Sequence, residues 1–578
     1  MKSSFSRLKR QLITATALLI AGCSGNTTPD HKASGANFAR AWCISGGAIY
    51  TANDKSPTAE AVAIRKGIIT YVGKDKGDWC EKYAGSDSQN INLNGAAAYP
   101  GLTDAHGHLL GIGLREMTLN LEGTQSISDL RERVKQAVSE LAENETLYGR
   151  GWIETHWPEG RFPNRQDLDD IAPNNPIILE RADGHAVVVN TVALKATNIT
   201  GDTQAPFGGA IHLDANGQPT GMLIDKASTL VDPLMPKLTK ERKREAYIKG
   251  AELYASRGWT NIHSMSVDPA DVPMINTLAR QGKIKIRVYN SVDLFPSKAT
   301  QTLSGVSEMK GTKNDIITTR AIKLYSDGAL GSRGAALLKP YSDDEKNSGL
   351  LLLKEDAANS ILDAALRNGT QVNTHAIGDR ANRLVLDWYE AAFKRVPKNQ
   401  WAEADPRWRI EHSQIVDLED LPRFAELGII PSMQPSHAIG DLHFAPDRLG
   451  KDRLAGAYAW RALIDSGSII AGGSDAPVEV GDPRIEFYAS TQRKDLKGFN
   501  NEDWNEEQKV TPYEALKMFT LWPAYAAFED DKIGSLEVGK KADMSAFTTD
   551  IMTASGPDIL TSDPLFTMVD GRLAFDGH

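Results

Sequence analysis

Eight short apolar runs recur between residues 96 and 477: "AAAYPGLTDAH", "GWTNIHSM", "KIRVYNSV", "TRAIKLYSDG", "GTQVNTHAIG", "RWRIEHSQ", "LGIIPSMQ" and "SGSIIAGGSDAP". Each is too short for an ordinary helix and reads as a buried strand. Helical stretches such as "AANSILDAALRNG" lie between several of them, ending in Gly as a helix C-cap does. Strands that alternate with helices become parallel neighbours, and eight in series predict a (β/α)8 barrel. The first interval, about 110–257, is far too long for one crossover and reads as an inserted subdomain. Both chain ends differ from the middle. "SGGAIYTANDKSPTAEAVAIRKGIITYVG", "IGSLEVGKKADMSAFTTD" and "PLFTMVDGRLAFDG" are strand-turn-strand patterns.

At 578 residues the chain exceeds what one ordinary core organises. A net charge of −10 with no basic stripe argues against a nucleic-acid partner. The N-terminus carries a targeting pattern: the basic "MKSSFSRLKRQ" precedes the short apolar "LITATALLIAG", as in a secretory signal. Leu19-Ile20-Ala21-Gly22-Cys23 resembles the bacterial lipobox. That resemblance implies removal of residues 1–22 and a lipid on Cys23. Ser24 after it resembles the outer-membrane variant, which implies a membrane-anchored lipoprotein on the periplasmic side. Residues 23–38 then form the lipidated Cys and a polar tether. Of three cysteines, Cys43 and Cys80 remain. An exported chain allows them to pair, but whether they approach closely enough is open.

Histidine is scarce, 12 in all, and its placement is informative. His106 and His108 close the first run, two apart, so both side chains point the same way. Lys323 lies on the fourth run, His375 ends the fifth, His412 ends the sixth and Asp475 follows the eighth. The C-terminal ends of barrel strands are where such folds place their chemistry. Alone, each residue has a bland explanation: a core imidazole, a salt-bridged lysine, a helix N-cap. Together they predict a divalent-metal site, and nitrogen and oxygen donors suit Zn2+.

"DAHGH", "KLYSDGALGSR", "THAIGDRA", "RIEHSQ" and "GSDAP" together resemble the amidohydrolase superfamily. More narrowly, the chain resembles the YtcJ-like (amidohydrolase-3) branch that includes N-substituted formamide deformylases. The similarity runs from about 44 to 575 and takes in "RADGHAVVVNTVAL", "NGQPTGML" and "IGSLEVGKKADM". It implies a distorted TIM barrel over 96–525 and a small β-sandwich built from 39–95 and 526–578. It also implies that His106, His108 and Asp475 hold one metal, and His375 and His412 a second. Lys323 ligates only as a carbamate, because an ammonium has no lone pair. One or both metal positions are filled among superfamily members, and homo-oligomers are common there.

The activity so implied is metal-dependent hydrolysis of a C–N bond in a small molecule, an amide, formamide or N-acyl compound. Asp475 would serve as the proton carrier. A deaminase or esterase uses the same site, and a non-catalytic surface binding lipoprotein is the reading outside enzymes. A serine hydrolase fits less well, since "GGSDA" lacks the G-x-S-x-G spacing. Around the metals, His185, Asp327 and Arg333 are the expected substrate contacts, His185 alternatively part of a packed strand with "AVVVN" and the other two a structural ion pair. Asp379 and Arg380 are expected to cap the next helix. Trp152, His156 and Trp157 can build a pocket wall or a core. His263 is expected to support the ligands from behind, and His212, His437 and His443 to lie in loops.

Overall fold

The computed structural model describes residues 41–154, 157–181, 186–206, 209–310, 316–500 and 504–577. All eight expected runs form strands, and they make one parallel sheet in chain order. These are β1 (Leu102–Gly107), β2 (Trp259–Val267), β3 (Arg287–Asp293), β4 (Ile317–Tyr325), β5 (Gln371–Ala376), β6 (Arg409–His412), β7 (Ile430–Met433) and β8 (Ala471–Gly472). Ladders join each strand to the next, from β1 through to β8. Helices cover the outside; Glu355–Asn368, for example, buries Ile361, Leu362, Ala365 and Leu366. It ends at Gly369, whose φ of +65° is the left-handed conformation that glycine adopts without strain.

The ring closes between β8 and β1 through side chains and two backbone hydrogen bonds at the strand ends; among the described residues no ladder joins these two strands. Asp104 on β1 is the clasp. Its carboxylate accepts from Ser474 N (2.9 Å), Ser474 Oγ (2.6 Å), Tyr254 OH (2.8 Å) and His106 N (3.0 Å). Burial still pushes this carboxyl up, to about 6. Gly473 lets the strands meet, since a Cβ there would lie 2.5 Å from His106 N. One residue on, Asp475 N donates to His106 O at 2.6 Å. The seam therefore fixes Asp475 against His106 before any ligand is considered.

The two chain ends form a separate eight-stranded sheet. Ala97–Pro100 pairs with Trp42–Tyr50 on one side and with Met544–Phe547 on the other. Its own apolar core includes Trp42, Ile44, Val62, Met544 and Phe566. Arg287 of β3 ties the barrel to this sheet through a buried pair with Asp543, 2.5 Å from Nε to Oδ2. Cys43 and Cys80 are joined in a disulfide that closes a separation of 37 residues. A loop of that size restricts the unfolded chain, by roughly 3–5 kcal/mol in the chain-entropy account.

Between β1 and β2 lies the insert, a six-stranded sheet from Leu119–Asn120 to Pro219–Asp225 with edge strand Gly209–Leu213. Of the two places open to Trp152 and Trp157, wall or core, the structure gives the core. Both are buried in the insert's core and donate to backbone, Trp152 to Leu179 O and Trp157 to Thr124 O, so neither walls the pocket. Among the described residues no helix is long and apolar enough to cross a membrane. Cys23, His156 and His185 lie outside the described residues.

Candidate metal centre

His106, His375 and His412 stand at the C-terminal ends of β1, β5 and β6, and Asp475 follows β8. His412 and Asp475 have φ of +77° and +61°. A left-handed residue other than glycine is uncommon and clusters at functional sites, where its neighbours hold it in place.

The side chains converge. Donor atoms of His106, His412 and Asp475 all lie within 4.8 Å of one another. Asp475 Oδ1 is 3.0 Å from His108 Nε2 and 3.4 Å from His106 Nε2, and Lys323 Nζ is 3.4 Å from the same His106 nitrogen. The His375 and His412 ring centres are 4.5 Å apart, and those of His106 and His412 4.7 Å. All six predicted ligand positions line one cavity of about 900 Å³.

A charged column inside the barrel holds this cluster from behind. Glu411 Oε2 lies 2.5 Å from His106 Nδ1, which occupies that nitrogen and leaves Nε2 for the cavity. Arg409, two residues earlier on β6, balances Glu411 with Nε 2.8 Å from Oε1 and also donates to Ala105 O and Ser432 Oγ. His263 takes the expected supporting place, its Nδ1 2.9 Å from an Arg409 nitrogen. His412 Nδ1 donates to Gln434 Oε1 at 2.9 Å.

Protonation states suit a cation. Burial, reinforced by the nearby Lys323 charge, lowers His106 to about 4 and His375 to about 3. His412 is held well below its ordinary value by burial and the neighbouring histidines. These imidazoles keep their lone pairs at neutral pH. Burial works against the Asp475 anion, but His106, His108 and His412 around it outweigh that and hold its carboxyl well below the usual range. Lys323 is buried, and loss of solvent brings it down to about 8.

Several expected contacts fall elsewhere. Asp327 does not line the cavity. Its buried carboxylate accepts from Ala336 N, Ile377 N and Gly378 N at 2.8, 3.0 and 2.9 Å and lies 3.4 Å from His375 Nε2, so it clamps two loops behind that imidazole. Burial raises it to about 7 against those three donors. Arg333 likewise stays off the cavity wall, because Asp343 holds its guanidinium at 2.8 Å. Arg448, a second partner of Asp343, is the arginine that reaches the wall. Asp379 and Arg380 do not cap the next helix: Gly378 is the N-cap of Asp379–Arg395, no side chain caps it, and Asp379 instead accepts from Leu338 N, tying the loop to the helix.

His437 is corrected from a loop residue to a wall residue. It sits on the short helix Pro435–Asp441 after β7, buried, with Nε2 3.6 Å from Asp475 Oδ2. The signal was its position just past the seventh strand, the same place that marked the other histidines. His212 is on the exposed edge strand of the insert, and His443 pairs with Asp495 outside the cavity. Glu411 and Arg409 were also missed. The trace they left is a pair of charges two apart inside a four-residue barrel strand, which requires mutual neutralisation.

Neutral imidazoles and an ionised carboxylate, gathered at the loop end of a closed parallel barrel, provide the lone pairs and charge that a divalent cation needs. Fold and donor set together define a barrel hydrolase that works with a divalent metal. The chain belongs to the amidohydrolase family (Amidohydro_3), whose model matches residues 89–575. A Bacillus subtilis protein named putative amidohydrolase YtcJ is 32% identical over 536 residues, spanning 92% of this chain and 98% of its own. The N-substituted formamide deformylase of Arthrobacter pascens is 24% identical over 91% of this chain and 97% of its own. Among solved structures, an uncharacterized metal-dependent hydrolase from Pyrococcus horikoshii superimposes with a TM-score of 0.72 at 25% identity. That match covers 89% of this chain and 99% of the other.

Proposed function

We propose that the protein hydrolyses a C–N bond of a small molecule, an amide, formamide or N-acyl compound, with Asp475 as the proton carrier. The observation that carries this reading is the place of Asp475: an ionised carboxylate on the cavity floor, 3.0 Å from His108 and 3.4 Å from His106. The similarity to a formamide deformylase supports the choice of bond. The residues fit Zn2+ or a similar ion: His106, His108 and Asp475 would hold one, His375 and His412 a second, and Lys323 would contribute as a carbamate. Such an ion supplies Lewis acidity and a bound water of lowered pKa.

The chain's own residues do the rest. Asp475 accepts the proton of the attacking water and returns it to the leaving nitrogen, which departs as a neutral amine. Leu330, Ile377 and Phe444 give the cavity apolar walls that displace water from the substrate. Lys323 supports the carbamate: it is fully enclosed and, among the described residues, its only hydrogen-bonding neighbour is His106. Loss of solvent makes a buried ammonium here costly, offset in part by the Glu411 and Asp475 charges, and carboxylation would replace it with an anion matched to the cations.

Elemental analysis of protein expressed from Ser24 onward, with bicarbonate present, tests the centre. About two divalent ions per chain are expected, falling in both His106→Ala and Lys323→Ala. A single ion insensitive to Lys323→Ala would remove the carbamate. No ion in folded protein, even after reconstitution, would remove the hydrolytic reading.

We also infer that the chain is exported and held at the outer membrane through a lipid on Cys23. The lipobox-like segment and the Cys43–Cys80 disulfide support an oxidising compartment. Cys23→Ala is expected to move the protein from the membrane to the soluble fraction on cell fractionation. An unchanged distribution would refute the anchor.

A further inference from the structure

Among the described residues, one ring nitrogen of His437 has no hydrogen-bond partner. The residue is 7% exposed, and its ring stacks near-parallel to His412 with centres 5.9 Å apart, so its orientation is fixed. Gln414 Nε2, itself buried, lies 2.9 Å from His437 Nδ1 and donates to it. A neutral imidazole that accepts at Nδ1 carries its proton on Nε2. That N–H is 3.6 Å from Asp475 Oδ2 and 3.9 Å from Glu479 Oε1, beyond hydrogen-bond length from both. Among the described residues Nε2 has no hydrogen-bond partner. A buried donor without an acceptor is unfavourable, and native structures ordinarily leave few. The space this one faces is the substrate cavity, beside the proposed proton carrier.

We propose that His437 is a catalytic residue: its Nε2–H donates a hydrogen bond to the acyl oxygen of the bound substrate. The bond strengthens as negative charge collects on that oxygen during attack by water. The inference rests on the C–N hydrolase reading and adds to it a substrate requirement, a carbonyl oxygen presented toward the β7 side of the cavity. Gln414 is the positioning residue that sets the tautomer.

The test compares metal-loaded wild type, His437→Ala and His437→Gln, all as the chain from Ser24 onward. Turnover of formanilide, the Kd of acetohydroxamate and metal content are measured for each. The alanine variant is expected to lose about 10²- to 10³-fold in kcat, the usual effect of removing one oxyanion donor, with KM and metal content little changed. Its hydroxamate Kd rises by about tenfold or more. Glutamine keeps an N–H at similar reach and is expected to recover much of both.

Unchanged kcat and Kd in His437→Ala would overturn the proposal, as would loss of metal, which would make His437 a ligand. Failure of the wild type to turn over formanilide strikes the hydrolase reading for that substrate alone. The hydroxamate series then still decides His437, and absence of hydroxamate binding by the metal-loaded wild type counts against the proposal.

Discussion

Asp475→Asn is expected to lower kcat by about 10²- to 10⁴-fold, the range that a positioned general acid–base supplies. Asparagine is the informative replacement. Asp475 has φ of +61°, a conformation that Asn tolerates better than Ala, so the backbone at the seam is preserved. The hydrogen bond from residue 475 N to His106 O depends on that backbone and survives the change. Asn also retains one carbonyl oxygen toward His108 and His106. What disappears is the negative charge and the capacity to take up a proton. Steady-state kinetics on the best substrate of an amide and formamide panel would be read beside metal content. A large fall in kcat with metal retained assigns the proton step to Asp475. Activity within tenfold of wild type would move that step to another group, and loss of metal would confine Asp475 to ligation.

The strand runs and the ligand spacing were legible because they are local. A parallel barrel strand is short, apolar and followed by its functional side chain, and that pattern survives in "THAIG" and "RIEHS" without knowledge of the rest. The disulfide was not legible, since it depends on the distance between a strand and a helix 37 residues later. Arg333 and Asp327 were misread for a related reason. Charged residues on a βα loop look available to a ligand, but Asp343 and three backbone amides had already engaged them. Asp104 lies inside the most informative motif, "TDAHGH", where nothing local marks its role. Its task of clasping β8 to β1 exists only once the ring has closed. Long-range neutralisation and seam geometry are tertiary properties, and no local pattern encodes them.

Glu411→Gln carries the second large expectation, a loss of roughly 3–5 kcal/mol in stability, because it leaves Arg409 buried without its counter-charge. Both side chains are fully enclosed in the barrel. The same carboxylate orients His106 through Nδ1, so divalent-metal affinity is expected to fall about 10- to 100-fold as well. The two effects separate in Arg409→Met/Glu411→Leu: removing both charges returns much of the stability, while His106 remains without its orienting partner and affinity stays low.

Acid adds a third readout. Burial disfavours the Glu411 anion, but Arg409 and His106 overcome this and hold its carboxyl far below the usual range. A lowered folded pKa means stabilisation present above the unfolded value, about 4.3, and lost as pH falls below it. Denaturant unfolding between pH 7 and pH 3 should therefore show a steeper acid loss in wild type than in Glu411→Gln. Equal stability of the two proteins at pH 7, with equal metal affinity, would mean that the column is inert packing and that the β8 seam alone aims His106.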